Sequence, residues 1–222
     1  MKRTLIRRII RRIIECLVML AISAALWQLT LIPIASTINK KAPLTLPQNV
    51  FVIAAFSVLV ILINLYAKKQ SYINWKEFFS ENVTIKWILF GLLATLVLHF
   101  LATYVGKIEG VPYLDPNVST EGQYLVIEFM RTCILSPVTE ELVFRRILTK
   151  VIFPGNLKVS LLITGLIFTA IHMPVSVGDW VNQLGAAAIL SVIYYKTEKV
   201  EACILVHSFM NLFLNIILWW LI

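Results

Sequence analysis

Long apolar runs separated by short polar segments dominate this chain of 222 residues. Seven runs can be counted, at about 13–38, 47–67, 84–106, 123–145, 158–175, 180–196 and 200–221. A membrane-spanning helix needs about 20 mostly apolar residues, and most of these runs reach that length. The pattern therefore predicts an all-α fold, a polytopic transmembrane helical bundle of about seven helices, of which the fifth and sixth are the shortest.

The first run follows a basic segment, residues 1–12, as in a secretory signal. Because its apolar part is longer than the roughly 7–15 residues of a signal sequence, we expect a retained membrane helix. We expect residues 13–119 to hold the N-terminal transmembrane helices and residues 120–222 to form a helical core.

Arg pairs alternate with Ile pairs between Arg7 and Ile14. This alternation predicts either an amphipathic helix on the inner leaflet or a strong orientation signal.

Composition excludes a soluble globular domain, since 59% of the residues are hydrophobic and only 14% are charged. The formal net charge of +8 does not indicate a nucleic-acid partner, because the basic residues form short clusters between apolar runs. With a cytoplasmic N-terminus, sixteen of the 20 Lys and Arg residues fall on the inner side. Lys40, Lys41 and Lys107 fall on the outer side, and Arg131 lies within the fourth run. We therefore predict a multi-pass plasma-membrane protein with a cytoplasmic N-terminus, in contact with the lipid bilayer.

Two adjacent carboxylates, Glu140 and Glu141, lie within the fourth apolar run. Charged side chains at membrane depth are costly and mark functional sites. Glu141 and Arg145 are four residues apart on one helix face, so we expect a structural ion pair between them. Glu140 lies about 100° away around the helix and has no expected partner on the same helix, so it is available for catalysis. Ser136 and Pro137 precede the pair, and a proline inside a helix frees backbone carbonyls.

Histidines supply the other polar positions. His172 ends the fifth run, and His207 and Asn211 are four residues apart on one face of the last run. With Glu140, they predict a polar site between the fourth, fifth and last helices. Taken singly, a membrane histidine is usually a hydrogen-bonded packing residue, and an asparagine can tie two helices together. His99, alone in the third run, is predicted to have such a packing role.

These residue types suit cleavage of an amide bond by water. A carboxylate shielded from bulk water can act as general base to a water molecule, helped by a neutral imidazole. A second imidazole and an asparagine amide can donate hydrogen bonds to the oxyanion of the tetrahedral intermediate. Two histidines and a carboxylate are also zinc ligands, with a metal-bound water as nucleophile. The chain lacks the H-E-x-x-H motif, and the residue types alone leave both mechanisms open.

Three motifs stand in order in successive apolar runs: E-E-x-x-x-R at Glu140–Arg145, F-x-x-x-H at Phe168–His172 and H-x-x-x-N/D at His207–Asn211. Each alone is a weak signal, but the ordered set resembles the CPBP family of intramembrane proteases over about residues 120–215. That family includes CAAX prenyl endopeptidases and Abi-type bacterial members linked to bacteriocin processing or self-immunity. The resemblance implies a membrane-embedded endopeptidase with its catalytic core in residues 120–222. Its substrate would be a peptide or a membrane-anchored protein.

The resemblance also implies catalytic roles. Glu140 and His172 would activate water, His207 and Asn211 would stabilise the oxyanion, and Glu141 would complete the catalytic set. The family is commonly labelled as metalloproteases, and zinc here would be held by Glu140, His172 and His207. We favour a glutamate mechanism without a cofactor, because an asparagine is a poor zinc ligand and a good amide donor.

Two other functions stay open. One is a non-proteolytic bacteriocin self-immunity or regulatory membrane protein that acts by binding a membrane partner. The other is a small transporter with Glu140 as a proton relay. The transporter is disfavoured, because the sequence shows no inverted repeat and no matching pair of broken helices.

The expected depths of the site residues differ. At about 1.5 Å per residue, Glu140 and His207 lie about 9 Å and 12 Å from the nearest inner basic residue, whereas His172 lies about 21 Å from Lys158. The fifth helix must therefore start outside the membrane or tilt strongly. We expect the segment at residues 154–156 to project into the cytoplasm.

Overall fold

The computed structural model describes residues 6–7, 9–15, 17–18, 21, 45–78, 82–111, 129–153 and 155–221. All regular structure in these ranges is helical, which confirms the all-α prediction. In chain order the elements are α1 (Leu46–Lys69), α2 (Trp75–Phe78), α3 (Asn82–Glu109), a first π-helix (Met130–Leu135), α4 (Ser136–Glu141), a second π-helix (Leu142–Ile147), α5 (Thr149–Ile152), α6 (Leu157–Ile171), α7 (Val177–Thr197) and α8 (Val200–Leu221).

Five of the predicted runs correspond to α1, α3, α6, α7 and α8 over nearly the same residues. The fourth run continues past its predicted end to Ile152. Most of the first run, and the expected boundary between residues 119 and 120, lie outside the described residues. Within these ranges α1 and the Thr84–Glu109 part of α3 are long and apolar enough to cross a membrane. A bundle of about seven membrane spans stays a prediction.

The helix boundaries around residue 174 follow from local chemistry. α6 stops four residues before the predicted end of its run, because Met173 adopts a left-handed φ of 47° and Pro174 lacks an N–H. Ser176 then begins α7, where it forms a capping box with Asp179. His172 is therefore fixed at the C-terminal end of α6.

At its other end α6 is capped by Asn156, whose Oδ1 accepts a hydrogen bond from the Val159 N–H at 3.2 Å. Gly155 and Asn156 are exposed, and Pro154 lies outside the described residues. An exposed turn at this position agrees with a projecting segment. Its direction relative to a membrane stays a prediction.

α7 packs closely along α3, and α8 packs against both of them and against the first π-helix and α4. The approach of α7 to α3 needs glycine: a Cβ at Gly178 would lie 3.1 Å from the backbone oxygen of Ala102, and one at Gly185 would lie 2.2 Å from Cδ1 of Leu98. Leu142 and Val206, on facing helices, are fully buried. α8 therefore presents its inner face to the helix that carries the two glutamates.

Candidate functional site

The two glutamates lie on a short α-helical segment between two π-helices. The Ser136 N–H donates to the Arg131 carbonyl, and the Leu148 N–H donates to the Val143 carbonyl, each five residues back. Pro137 cannot donate, so the helix cannot keep its usual ladder at this point. π-Helical turns within helices are frequent at functional sites.

Glu140 directs one carboxylate oxygen towards the other site residues. Its Oε1 accepts a hydrogen bond from Ser136 Oγ, one turn earlier. Its Oε2 is buried, has no hydrogen-bond partner among the described residues, and lies 4.0 Å from Nε2 of His172 and 3.9 Å from Nε2 of His207. Residues from α4, α6 and α8 thus meet around one carboxylate oxygen.

The other nitrogen of each imidazole fixes the tautomer. Nδ1 of His172 lies 2.7 Å from the carbonyl oxygen of Phe168, and Nδ1 of His207 lies 2.8 Å from Oε1 of Glu141. Both partners only accept hydrogen bonds, so Nδ1 is the donor in each contact, and in the neutral form of each ring the lone pair is on Nε2. Three acceptors, the two Nε2 atoms and Oε2 of Glu140, therefore face one another. They need a shared donor or cation between them.

The separations distinguish the species that fit. A water oxygen placed about 2.8 Å from each of two acceptors that are 3.9–4.0 Å apart makes an acceptor–oxygen–acceptor angle of about 90°. This angle is near the bond angle of water. A zinc ion placed about 2.0–2.1 Å from both acceptors would make a ligand–zinc–ligand angle of about 145°, far from the tetrahedral angle. In the part of the chain that the structure describes, no group of three His, Cys, Asp or Glu side chains is spaced to hold a metal ion. These two separations suit a bridging water molecule better than a tetrahedral zinc ion.

Glu141 has a different environment from its neighbour. Its Oε2 lies 3.2 Å from Nε of Arg145, and both side chains are completely buried. Its Oε1 lies 3.3 Å from a second guanidinium nitrogen and accepts the hydrogen bond from His207. This carboxylate therefore compensates a buried cation and orients the imidazole of His207.

The Phe168 ring contacts the Arg145 guanidinium and both imidazoles. The Arg145 guanidinium carbon lies 4.7 Å from the ring centroid, and the ring centroids of His172 and His207 lie 4.5 Å and 5.9 Å away. A guanidinium at this distance gains a cation–π interaction. From the sequence, Phe168 is predicted only as part of a motif, and the contact of Ser136 with Glu140 is not predicted. In both cases the signal was a spacing of four residues on one helix face.

Asn211 makes its hydrogen bond to the backbone of the first π-helix. Its Nδ2 donates to the carbonyl oxygen of Thr132 at 2.7 Å. In the π register this carbonyl would accept from residue 137, which is proline and has no N–H. The side chain supplies the missing donor and ties α8 to the π-helix one turn beyond His207. The oxyanion role that the resemblance implies for Asn211 stays a prediction.

The site is most open near His172. The exposed fraction of the side chain is 8% for His207, 20% for Glu140 and 29% for His172. Of these three side chains, the one at the C-terminal end of α6 is therefore the most accessible. His99, expected to pack, is buried and stacks on the Phe213 ring at a centroid distance of 5.6 Å.

Residues 122–213 match the family model described as Type II CAAX prenyl endopeptidase Rce1-like. The matched range contains all three motifs and every residue of the site, and residues 1–121 lie outside it. Comparisons with curated proteins and with solved structures gave no match. The match confirms the resemblance drawn from the motifs. Over residues 122–213 this chain is similar to the Rce1-like CAAX prenyl endopeptidases, which are part of the CPBP family that the motifs resemble.

Proposed function

We propose that this chain is an intramembrane endopeptidase that hydrolyses a peptide bond in a peptide or membrane-anchored protein with water activated by Glu140. The observation that carries the proposal is the convergence of Oε2 of Glu140 with Nε2 of His172 and of His207 within 4.0 Å. The similarity of residues 122–213 to a membrane-embedded protease family supports it, as do the apolar helices α1 and α3.

In the proposed first step, a water molecule donates one hydrogen to Oε2 of Glu140 and the other to Nε2 of His172. Glu140 takes its proton while the water oxygen bonds to the carbonyl carbon of the substrate. Glu140 then passes this proton to the amide nitrogen of the tetrahedral intermediate, and the C–N bond breaks. The products are a carboxyl group and an amine, and Glu140 returns to its ionised form.

His207 is proposed to stabilise the oxyanion. Its buried Nε2 faces the same space as Oε2 of Glu140, and the contact of Nδ1 with Glu141 holds the ring in this orientation. In the proposed step the His207 ring carries a proton on Nε2, which donates a hydrogen bond to the oxyanion. Asn211 is proposed to assist indirectly, because its bond to Thr132 holds the turn of α8 that carries His207.

The proposed setting is the plasma membrane, with several spans and a cytoplasmic N-terminus. The excess of Lys and Arg in the predicted inner segments supports this orientation. The absence of a metal cofactor is likewise a proposal, supported by acceptor separations that suit a water molecule better than a zinc ion.

Glu140→Gln tests the function. The amide keeps the volume of the side chain and can still accept the Ser136 hydrogen bond, but it cannot take a proton from water. For the purified full chain in vesicles, we expect cleavage of a quenched-fluorescent CAAX peptide, farnesylated or not, to fall by about 10²–10⁴-fold. Glu198→Gln makes the same change at an exposed position and is the matched control.

Equal cleavage by the Glu140→Gln and Glu198→Gln chains would refute the glutamate mechanism. Peptide termini in membranes from cells that make each chain supply a second readout that requires no chosen substrate. If wild-type and Glu140→Gln cells show the same termini, the non-proteolytic, partner-binding function replaces the protease.

A further inference from the structure

A cavity of about 790 Å³ lies between the second half of α1 and the segment 71–77, away from the site described above. Its volume is in the range of about 300–1,000 Å³ that is usual for ligand sites. The lining that matters here consists of Ile61, Leu65, Lys68, Asn74, Trp75 and Lys76.

The lining changes from apolar to basic along the axis of α1. Ile61 and Leu65 are 56% and 58% exposed, and Lys68 follows on the same side of the helix and is also exposed. Seven residues separate Ile61 from Lys68, a distance of about 10 Å along the axis. Trp75, half-buried at the basic end, is a residue type that favours the membrane–water interface.

The charge at the basic end is positive. Lys68 and Lys76 are both exposed, and the acidic lining residue, Glu77, is bonded to Lys199 at 2.8 Å. The Lys199 ammonium lowers the pKa of Glu77, so this carboxylate stays ionised and paired at neutral pH. Lysines at the end of a helix also compensate its dipole. That role alone does not require a cavity with an apolar wall beside them.

The segment 71–77 is also attached to the helices of the proposed active site. The carbonyl of Ser71 accepts a hydrogen bond from Arg146 at 3.0 Å, next in sequence to the buried Arg145. The backbone N–H of Asn74 donates to Glu201 in the first turn of α8. A ligand in the cavity would therefore contact a segment that is held by two elements of the site.

We propose that this cavity binds one anionic glycerophospholipid, with its phosphate between Lys68 and Lys76 and the first part of an acyl chain along Ile61 and Leu65. The proposal rests on the location of α1 in a membrane, which is part of the proposed function, but not on protease activity. A zwitterionic lipid offers the same chains without the net negative charge, so it binds more weakly.

Native mass spectrometry of the full chain, taken from mixed micelles of phosphatidylglycerol and phosphatidylcholine, tests the proposal. We expect the wild-type chain to retain phosphatidylglycerol preferentially. Lys68→Gln with Lys76→Gln should weaken retention about 30-fold, since each lysine near a lipid surface contributes a factor of about five. Lys69→Gln with Lys86→Gln removes two exposed lysines that do not line the cavity, and this matched control should retain the lipid.

Equal loss in the two double variants would overturn the proposal, because the binding would then be diffuse surface attraction. No loss in either variant would overturn it as well. Lys68→Arg with Lys76→Arg keeps both charges and should keep the lipid, which separates charge from a folding defect. Glycerol 3-phosphate should not displace the lipid; displacement would show that the apolar wall contributes nothing. None of these readouts uses cleavage, so their failure is distinct from failure of the proposed protease.

Discussion

Replacing Glu141 with Gln tests whether its buried carboxylate holds the site together. The change removes a negative charge that lies 3.2 Å from Arg145 Nε and 2.8 Å from Nδ1 of His207. The amide oxygen of Gln can still accept the hydrogen bond from His207. The guanidinium, by contrast, loses its charge partner in a fully buried position.

The magnitude follows from burial. Removing one partner of a buried ion pair costs about 3–5 kcal/mol of the free energy of unfolding, because the other charge is left uncompensated. The Phe168 ring already contacts Arg145 in the wild-type chain, so it offers no new compensation. For a chain of this length each kcal/mol lowers Tm by about 2–4 °C, which gives a fall of roughly 6–20 °C.

The assay is thermal unfolding of the purified full chain, followed by circular dichroism. Glu77→Gln is the matched control: its bond to Lys199 is shorter, at 2.8 Å, but the Glu77 side chain is 54% exposed, so no measurable change is expected. Combining Glu141→Gln with Arg145→Gln should cost less than the sum of the single changes by more than about 1 kcal/mol. Strict additivity, or a Glu141→Gln change no larger than that of Glu77→Gln, would refute the reasoning.

Ser136→Ala should lower kcat about fivefold with little effect on KM, because Glu140 loses one orienting hydrogen bond worth about 1 kcal/mol. Ser136→Thr should restore it, and a Thr variant as slow as Ala would contradict the assignment. Asn211→Ala should lower the free energy of unfolding by about 1–2 kcal/mol. The loss should shrink in a Pro137→Ala background, where a new N–H can satisfy the Thr132 carbonyl; an equal loss in both backgrounds would contradict this account. Exhaustive chelation should leave cleavage unchanged, whereas a loss of activity that zinc restores would contradict the proposed mechanism without a metal.

Features that depend on near neighbours in the chain could be predicted from the sequence. The extents of α1, α3 and α8 follow from apolar runs. The Glu141–Arg145 contact follows from a spacing of four residues on one helix. Where a prediction missed by a few residues, as at the end of α6, a proline and a left-handed residue decided the boundary.

Features that depend on how helices approach one another could not be predicted in this way. The motifs indicated that His207 and Asn211 meet the fourth helix, but not which atoms meet. The contact of His207 with Glu141 spans 66 residues, and that of Asn211 with Thr132 spans 79. Both depend on a helical register that Pro137 alters, and the partner of Asn211 is a backbone carbonyl, which carries no residue-type signal.

The two adjacent glutamates have opposite environments because successive helical residues point about 100° apart. Glu141 neutralises the charge of Arg145, so the guanidinium does not require Glu140 as a second partner. In the π-helical register that follows, residues five apart also approach each other, and Glu140 and Arg145 are separated by five. If Glu141 became neutral, Glu140 would be the nearest carboxylate along the helix to an uncompensated guanidinium. We therefore expect Glu141→Gln to lower kcat even when the rate is expressed per folded molecule, because Arg145 then competes with water for the Glu140 base.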